Sequence, residues 1–292
     1  MTLWSCVASA ISDTTQRPFA ISRTLPIRGG SISQSFRLEG NDGSLYFLKL
    51  NDVRHQAMLV AEFAGLETIG ATNTLRVPHP ITVGVAGDQS FIVLEHLDLL
   101  SHGDAKLLGE QLAALHRCTS PQFGFSRANF IGTSSQPNTW TESWVIFWQE
   151  QRLGFQLNLA RLNGSDGELL QLGARLLESL PAFFAGHTPQ PSLLHGDLWG
   201  GNHAYLADGT PTIFDPATYY GDRECDLAMT ELFGGYPSEF YAAYCANWPL
   251  DRGYSIRRDL YNLYHVLNHA NLFGGSYVHQ SSQIMRGLLA NI

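Results

Sequence analysis

The sequence predicts an α+β protein in two parts: a small β-rich part with one key helix over residues 1–95, and a larger, mainly helical part over residues 96–292. Three observations carry that reading. Strand-like alternation dominates most of the first third, helical spacing takes over after Ser101, and a single stretch of strand and turn, SLLHGDLWGGNHAYLADGTPTIFDP, interrupts the helical text.

The elements follow in order. PIRGGSISQSFRLEG places Phe36 and Leu38 on one face, Asn41-Asp42-Gly43 supplies turn chemistry, and SLYFLKL alternates again, which predicts a hairpin. From Asp52 to about Ile69, Val53, Ala57, Val60 and Ala64 recur at helical spacing and Gly70 ends the run. HPITVGVAG and QSFIVLEHL read as two further strands around a Gly87-Asp88 turn, so the order is β-β-β-α-β-β. Beyond them, Asp104 caps a helix carrying Leu108, Leu112 and Leu115. Thr139-x-x-Glu142 and Ser165-x-x-Glu168 read as capping boxes, and Ser255 to Phe273 forms another amphipathic helix. His116 and Arg117 sit where positive charge suits a helix C-terminus, and Trp144, Phe147 and Trp148 fall with Trp140 at core-like helical spacing.

Composition bounds the function. A chain of 292 residues buries a core without disulfides or a structural metal. Its 26 acidic and 18 basic side chains give a charge of −8, a poor surface for nucleic acid or an anionic membrane. Cys6, Cys118, Cys225 and Cys245 are scattered, which suits reduced thiols in a cytoplasmic protein, and neither a signal peptide nor a membrane-spanning run is read. Only two lysines are present, Lys49 and Lys106, so any phosphate chemistry must draw on them, on Arg, on backbone amides and on a metal.

The interrupting stretch carries Asp197, Asn202 and Asp215 at relative positions 0, 5 and 18. A two-residue turn at Asp208-Gly209 would make Ala207 face Thr210 and, further out, Asn202 face Asp215, two oxygen ligands beside one Mg²⁺. That spacing matches phosphoryl transfer from ATP, in which one Asp accepts the substrate hydroxyl proton while an Asn and a later Asp bind metal. Lys49, ending the third strand, suits the α- and β-phosphates. Glu62 on the next helix would hold it, with Glu67 as the rival. Gly29, Gly30, Ser31 and Ser33 form a candidate phosphate-covering loop, and the Walker pattern is absent. His265-x-x-x-His269 lacks the glutamate and third ligand of a zinc site.

HGDLWGGN, FDPATYYGDRECDLAMTELFGGYP, NFIGTSSQPNTW and the GGSIS loop together resemble the fructosamine (ketosamine) kinase family, in the small-molecule branch of the protein-kinase-like fold, along essentially the whole chain. The resemblance implies a bilobal fold with a nucleotide-binding N-lobe and a C-lobe carrying the catalytic loop and substrate site. It also implies ATP-dependent phosphorylation of the sugar 3-hydroxyl of fructosyl- or ribulosyl-type amines, free or on proteins, whose product breaks down and releases the amine. By the same resemblance, Asp197 matches the catalytic base, Asn202 and Asp215 the metal ligands, and Lys49 and Glu62 the phosphate-contacting pair. Glu95, His96 and Leu97 match the hinge where backbone groups meet adenine, and Asp226 an aspartate bracing the catalytic loop. Some members have a cysteine in the glycine loop, whereas this sequence has Ser33 and no nearby Cys. Trp199 could pack an indole on a sugar face. A kinase for an aminoglycoside, choline or simple sugar, and a silent nucleotide-binding regulator, stay open as alternatives.

Overall fold

The computed structural model describes residues 2–27, 33–165 and 167–292. Two compact units emerge: Met1–Asp104 with His203–Pro216, and Ala105–Asn202 with Ala217–Ile292. Among the described residues no helix is long and apolar enough to cross a membrane.

The first unit contains α1 (Leu3–Thr15), β1 (Ile21–Ile27), β2 (Gln34–Gly40), β3 (Leu45–Asp52), α2 (Gln56–Ala71), β4 (Pro80–Ala86) and β5 (Gln89–Glu95). Strands β1 to β5 form an antiparallel sheet ordered β1-β2-β3-β5-β4. The strand and helix order follows the sequence pattern, and α1 precedes it as an additional helix. Thr2 caps α1 through the Ser5 amide, and Val7 and Ile11 bury against Leu38, Leu48, Leu50, Phe91 and Val93. Trp4, Val7, Ala8 and Ile11 hold the helical spacing that would have revealed it. Because α1 packs on the Leu48 and Leu50 side of β3, alternation turns Lys49 to the opposite face.

Two boundaries moved for local reasons. A 3₁₀ turn, Val53–His55, precedes α2, with the Asp52 carboxylate accepting from the Arg54 amide at 2.9 Å. The helix passes through Gly70 and stops before Asn73, which adopts φ 53°, a conformation Asn tolerates better than most residues.

The second unit opens with α3 (Ala105–His116). A short hairpin, β6 (Asn129–Ile131) and β7 (Ser134–Gln136), leads to α4 (Trp144–Trp148), a π-helical turn Gln149–Leu153, α5 (Gly154–Leu162), α6 (Gly167–Phe183) and β8 (Ser192–Leu194). The chain then enters the first unit as β9 (His203–Tyr205) and β10 (Pro211–Ile213). It returns through β11 (Tyr219–Gly221), which pairs with β8, to α7 (Glu224–Leu232), α8 (Ser238–Asn247), α9 (Tyr254–Phe273) and α10 (Ser276–Leu289). Thr139 does not begin a helix. Thr141 bridges to Phe123 in extended form, and Ser143 caps α4 instead through the Ile146 amide. Phe147, Trp148, Leu260, Tyr261 and Leu263 anchor the core of this unit, whereas Trp140 stays 40% exposed.

Close approach of α3 to α8 depends on Gly109, where a Cβ would lie 2.3 Å from the Phe240 carbonyl oxygen. Gly109→Ala should therefore push the helices apart and cost about 1–3 kcal/mol. The expected reading is a lower urea midpoint with an unchanged slope, and an unaltered midpoint would show that the helices separate freely.

Candidate active site

Lys49 of β3 has two carboxylate partners inside the first unit. Its Nζ donates to Glu62 Oε1 at 2.7 Å and to Asp215 Oδ1 at 2.5 Å, with the Lys49 and Glu62 side chains largely buried. Thirteen residues separate Lys49 from Glu62, and α2 turns Glu62 toward the strand while Glu67 faces solvent. The structure thus chooses between the two glutamates. Burial alone would push the Lys49 ammonium pKa down, but the Asp215 and Glu62 carboxylates outweigh it and hold the group protonated. Glu62 is pushed up by burial and by the Asp215 charge, against the pull of Lys49.

Asp215 adopts φ 59°, an uncommon conformation for a residue with a Cβ. Its side chain is 45% exposed even with Lys49 bound to one oxygen.

The hairpin before it differs from the expected register. Leu206 N–H donates to the Thr210 carbonyl at 2.8 Å and Gly209 N–H to the Leu206 carbonyl at 2.9 Å, so Ala207, Asp208 and Gly209 form a three-residue loop with Gly209 at φ 85°. Such a loop combines a turn with a left-handed glycine and shifts the pairing by one residue relative to a two-residue turn. Tyr205 pairs Pro211 and His203 pairs Ile213, where the ladder ends; Asn202 and Asp215 are not partners in it. The hairpin is tied to the first unit by Ile213 N–H to the Arg76 carbonyl at 3.0 Å and by reciprocal Leu100 and Tyr205 bonds at 2.8 and 2.9 Å.

In the second unit the loop from His195 to Asn202 is held at its start by Asp226 of α7. The buried carboxylate accepts the His195 amide at 2.7 Å and the Gly196 amide at 2.8 Å, with His116 Nε2 at 3.2 Å. Burial opposes its ionisation, yet hydrogen bonding from His116, the nearby imidazoles and the Gly196 amide hold its pKa below the usual carboxylate value. Gly196 is obligatory, since φ is 84° and a Cβ would sit 2.2 Å from the Ala217 carbonyl oxygen.

Asp197 follows, half-buried, its amide donating to His195 Nδ1 at 3.2 Å. Asn202 Nδ2 donates to the Asp197 carbonyl at 2.8 Å and to its Oδ2 at 3.3 Å, so the amide oxygen is the end of Asn202 suited to a cation. Trp199 is 41% exposed, and its indole lies where a Cβ on Gly201 would come within 2.2 Å. Phe233 meets that indole edge-on at 6.4 Å between ring centres.

Polar side chains missed by the sequence reading fix the segment after Pro216. Gln136 Nε2 donates to the Ala217 carbonyl at 3.1 Å and Asn129 Nδ2 to the Thr218 carbonyl at 2.7 Å. Asn138 and the fully buried Arg152 extend the same network. The NFIGTSSQPN run, with three amide side chains entering a buried hairpin, was the available signal.

At the predicted hinge, the Glu95 amide donates to the His79 carbonyl at 2.8 Å, and its carboxylate holds Arg76 at 2.5 and 2.6 Å. His96 is lowered in pKa by burial, and both His96 and Leu97 are partly exposed. Gly29, Gly30 and Ser31 lie outside the described residues; Ser33 Oγ accepts from Asn51 Nδ2 at 3.3 Å. His265 is buried, and its pKa is pushed down to about 3 by that burial and by His269. Among the described residues, His187, Asp222 and Glu224 form a cluster of metal-ligating type, but Arg257 holds both oxygens of Glu224, at 2.7 and 2.9 Å, and Tyr261 and His187 share Asp222. It is a closed ion network.

Comparison with known proteins places these residues in context. The family model for fructosamine kinase matches residues 3–291. A probable ketoamine kinase of Synechocystis is 45% identical over 289 residues, covering 98% of this chain and 97% of the relative. The chloroplastic protein-ribulosamine 3-kinase of Arabidopsis thaliana is 41% identical over 261 residues, 88% of this chain and 79% of the relative. Among solved structures, a candidate fructosamine-3-kinase of Haemophilus somnus has a TM-score of 0.88 at 28% identity, covering 98% of this chain and 97% of that one. A Streptococcus pneumoniae choline kinase, at 14% identity and TM-score 0.64 with 99% of each chain covered, shares the kinase-like fold.

Lys49→Met should strand Glu62 and cost about 3 kcal/mol, and adding Glu62→Leu should recover most of it, as read from urea unfolding of the single and double variants. A second expectation concerns His187, whose ring nitrogens each meet a carboxylate, Asp222 and Asp251, at 2.8 Å. Burial would lower its pKa, but the hydrogen bond and charge of Asp222 raise it above the ordinary 6.5. A raised folded-state pKa stabilises fully below about 6.5 and loses that contribution as pH climbs through the folded value. Unfolding free energies at about pH 6 and about pH 9 should therefore differ less in Asp222→Asn than in the wild type; an equal difference would assign the pH dependence elsewhere.

Proposed function

This chain belongs to the fructosamine kinase family, and we propose that it transfers the γ-phosphoryl group of ATP to the sugar 3-hydroxyl of ketosamines, amines bearing fructosyl- or ribulosyl-type adducts. The phosphorylated adduct then breaks down and frees the amine, which makes the activity a deglycation. The observation that carries the reading is the pairing of Lys49 with Glu62 and Asp215, the set that a kinase needs to meet nucleotide phosphates. The names of the ketoamine and ribulosamine kinases similar to it supply the acceptor class.

Asp197 orients the sugar hydroxyl and accepts its proton as the phosphoryl group arrives in line. Lys49 lies on the phosphates, with Glu62 keeping its ammonium in place. Residues 1–95 supply the nucleotide-binding lobe, including Gly29, Gly30, Ser31 and Ser33 over the phosphates and Glu95, His96 and Leu97 beside adenine. Residues 96–292 supply the acceptor side, with Trp199 against the sugar.

The donors on Asn202 and Asp215 are an amide oxygen and a partly exposed carboxylate, hard ligands that fit Mg²⁺. When bound, Mg²⁺ neutralises charge on the phosphate oxygens. Four unpaired cysteines support a reducing, cytoplasmic setting.

Asp197→Asn should lower turnover of ribulosyl- and fructosyl-lysine by about 10²–10⁴-fold while MgATP binding persists. Phosphorus NMR on a panel that also contains aminoglycosides and choline reads the acceptor directly. Full turnover in the variant removes Asp197 from its role, and phosphorylation confined to choline or an aminoglycoside overturns the acceptor assignment.

A further inference from the structure

His116 ends α3, where a positive charge beside exposed carbonyls would be unremarkable on sequence grounds. The structure gives it a different setting. The side chain is fully buried and both ring nitrogens are engaged, Nδ1 with the Tyr244 hydroxyl at 2.8 Å and Nε2 with Asp226 Oδ2 at 3.2 Å. Arg223 Nη1 donates to the same Tyr244 hydroxyl at 3.2 Å, and its Nη2 is tied to the Pro249 carbonyl at 2.6 Å.

The far end of this chain sets its direction. Arg223 can only donate, so the Tyr244 oxygen accepts from it and turns its own hydrogen to His116 Nδ1. Nε2 then carries the hydrogen that Asp226 accepts. The Asp226 oxygen reached by His116 is the one that also accepts the His195 amide, two residues before Asp197, while the other oxygen accepts the Gly196 amide.

We propose that His116 is a positioning residue for the catalytic loop: through Asp226, with Tyr244 and Arg223 fixing its tautomer and tilt, it sets the backbone from which Asp197 projects. The physical reason is geometric. A carboxylate that accepts two adjacent amides can still rotate about its χ2 bond, and each rotation moves both amides and the loop with them. A third donor from a rigid, buried ring removes that freedom. Gly109 supports the arrangement, since it lets α3 approach α8 closely enough for His116 to meet Tyr244.

The inference rests on Asp197 being the base. Its test measures kcat and KM for both substrates in His116→Leu, His116→Gln and Tyr244→Phe, beside Asp197→Asn. Misplacing a reacting group by about 1 Å costs up to about 10²-fold. His116→Leu should therefore lose about 10- to 100-fold in kcat, with KM for ATP and ketosamine close to wild type. His116→Gln, which can accept from Tyr244 and donate to Asp226, should recover most of the loss. Tyr244→Phe removes one oxygen and should lower kcat in the same direction by a smaller factor. Near-UV circular dichroism and the unfolding midpoint identify any variant that has lost its fold.

Wild-type kcat in folded His116→Leu overturns the proposal, as does a Gln variant no better than Leu, because His116 would then only fill space. If His116→Leu does not fold, unchanged kcat in Tyr244→Phe overturns it. Should Asp197→Asn retain full activity, the reading of the base fails instead, a result separable from any of these.

Discussion

The interior of the second unit is organised around one buried carboxylate. The chain leaves β8 at Leu194 and must turn sharply at Gly196, whose left-handed backbone brings it against the Ala217 carbonyl. The β8–β11 ladder ends at Leu194, before the amides of His195 and Gly196, and a buried amide without a partner costs free energy comparable to a lost hydrogen bond. Asp226 satisfies both, and those donors with His116 offset the cost of burying its charge. The start of α7, the end of α3 and the loop from His195 to Asn202 consequently share one electrostatic anchor.

The same solution recurs in the segment that follows Pro216. The backbone at Ala217 and Thr218 is held by Gln136 and Asn129, and these are held in turn by Asn138 and Arg152. Arg152 is fully buried, its guanidinium carbon 4.5 Å from the Phe147 ring centre and 4.0 Å from that of Tyr219, and it donates to the Pro137 carbonyl at 2.7 Å. Cation–π contact and carbonyl oxygens here do what a carboxylate would otherwise do. Buried polar networks of this kind are weak sources of net stability, because well-packed apolar groups of similar volume often do as well. Their value here lies in fixing the Ala217 and Thr218 carbonyls, which apolar packing alone would leave without partners.

Much of this was legible in the sequence where a single local rule governed the outcome. Alternation in SLYFLKL fixed which face Lys49 takes, and one helix later Glu62 could reach it. The choice between Glu62 and Glu67 was not legible, because it depends on the rotation of α2 over the sheet. The hairpin register was missed for a different reason: Asp208-Gly209 suits both a two-residue turn and the last two positions of a three-residue loop, and only the backbone distinguishes them. His116 looked like an ordinary C-terminal cation because its partners, Asp226 and Tyr244, lie 110 and 128 residues away. Thr139-x-x-Glu142 satisfied a capping pattern, but pairing of Thr141 with Phe123 overrode it. In each miss, a long-range contact or a backbone choice outweighed a valid local preference.

Scarcity of lysine and an excess of acid also acquire a physical sense at Lys49. Its ammonium faces two carboxylates, so with both ionised the trio carries one net negative charge. A polyphosphate cannot approach such a group favourably unless a cation accompanies it or one carboxylate exchanges its partner. Glu62 is largely buried and bound to strand β3 through Lys49, whereas Asp215 is 45% exposed and sits in a strained backbone conformation. Asp215 is therefore the more accessible member of the trio, and under the proposed roles it is the one that would exchange its lysine partner for a metal while the Lys49–Glu62 pair stays intact. An acidic chain with few lysines does not draw polyanions over long distances. Under the proposed assignment of Asp215 as a metal ligand, discrimination between a metal-bound nucleotide and bare phosphate would arise at this one cluster.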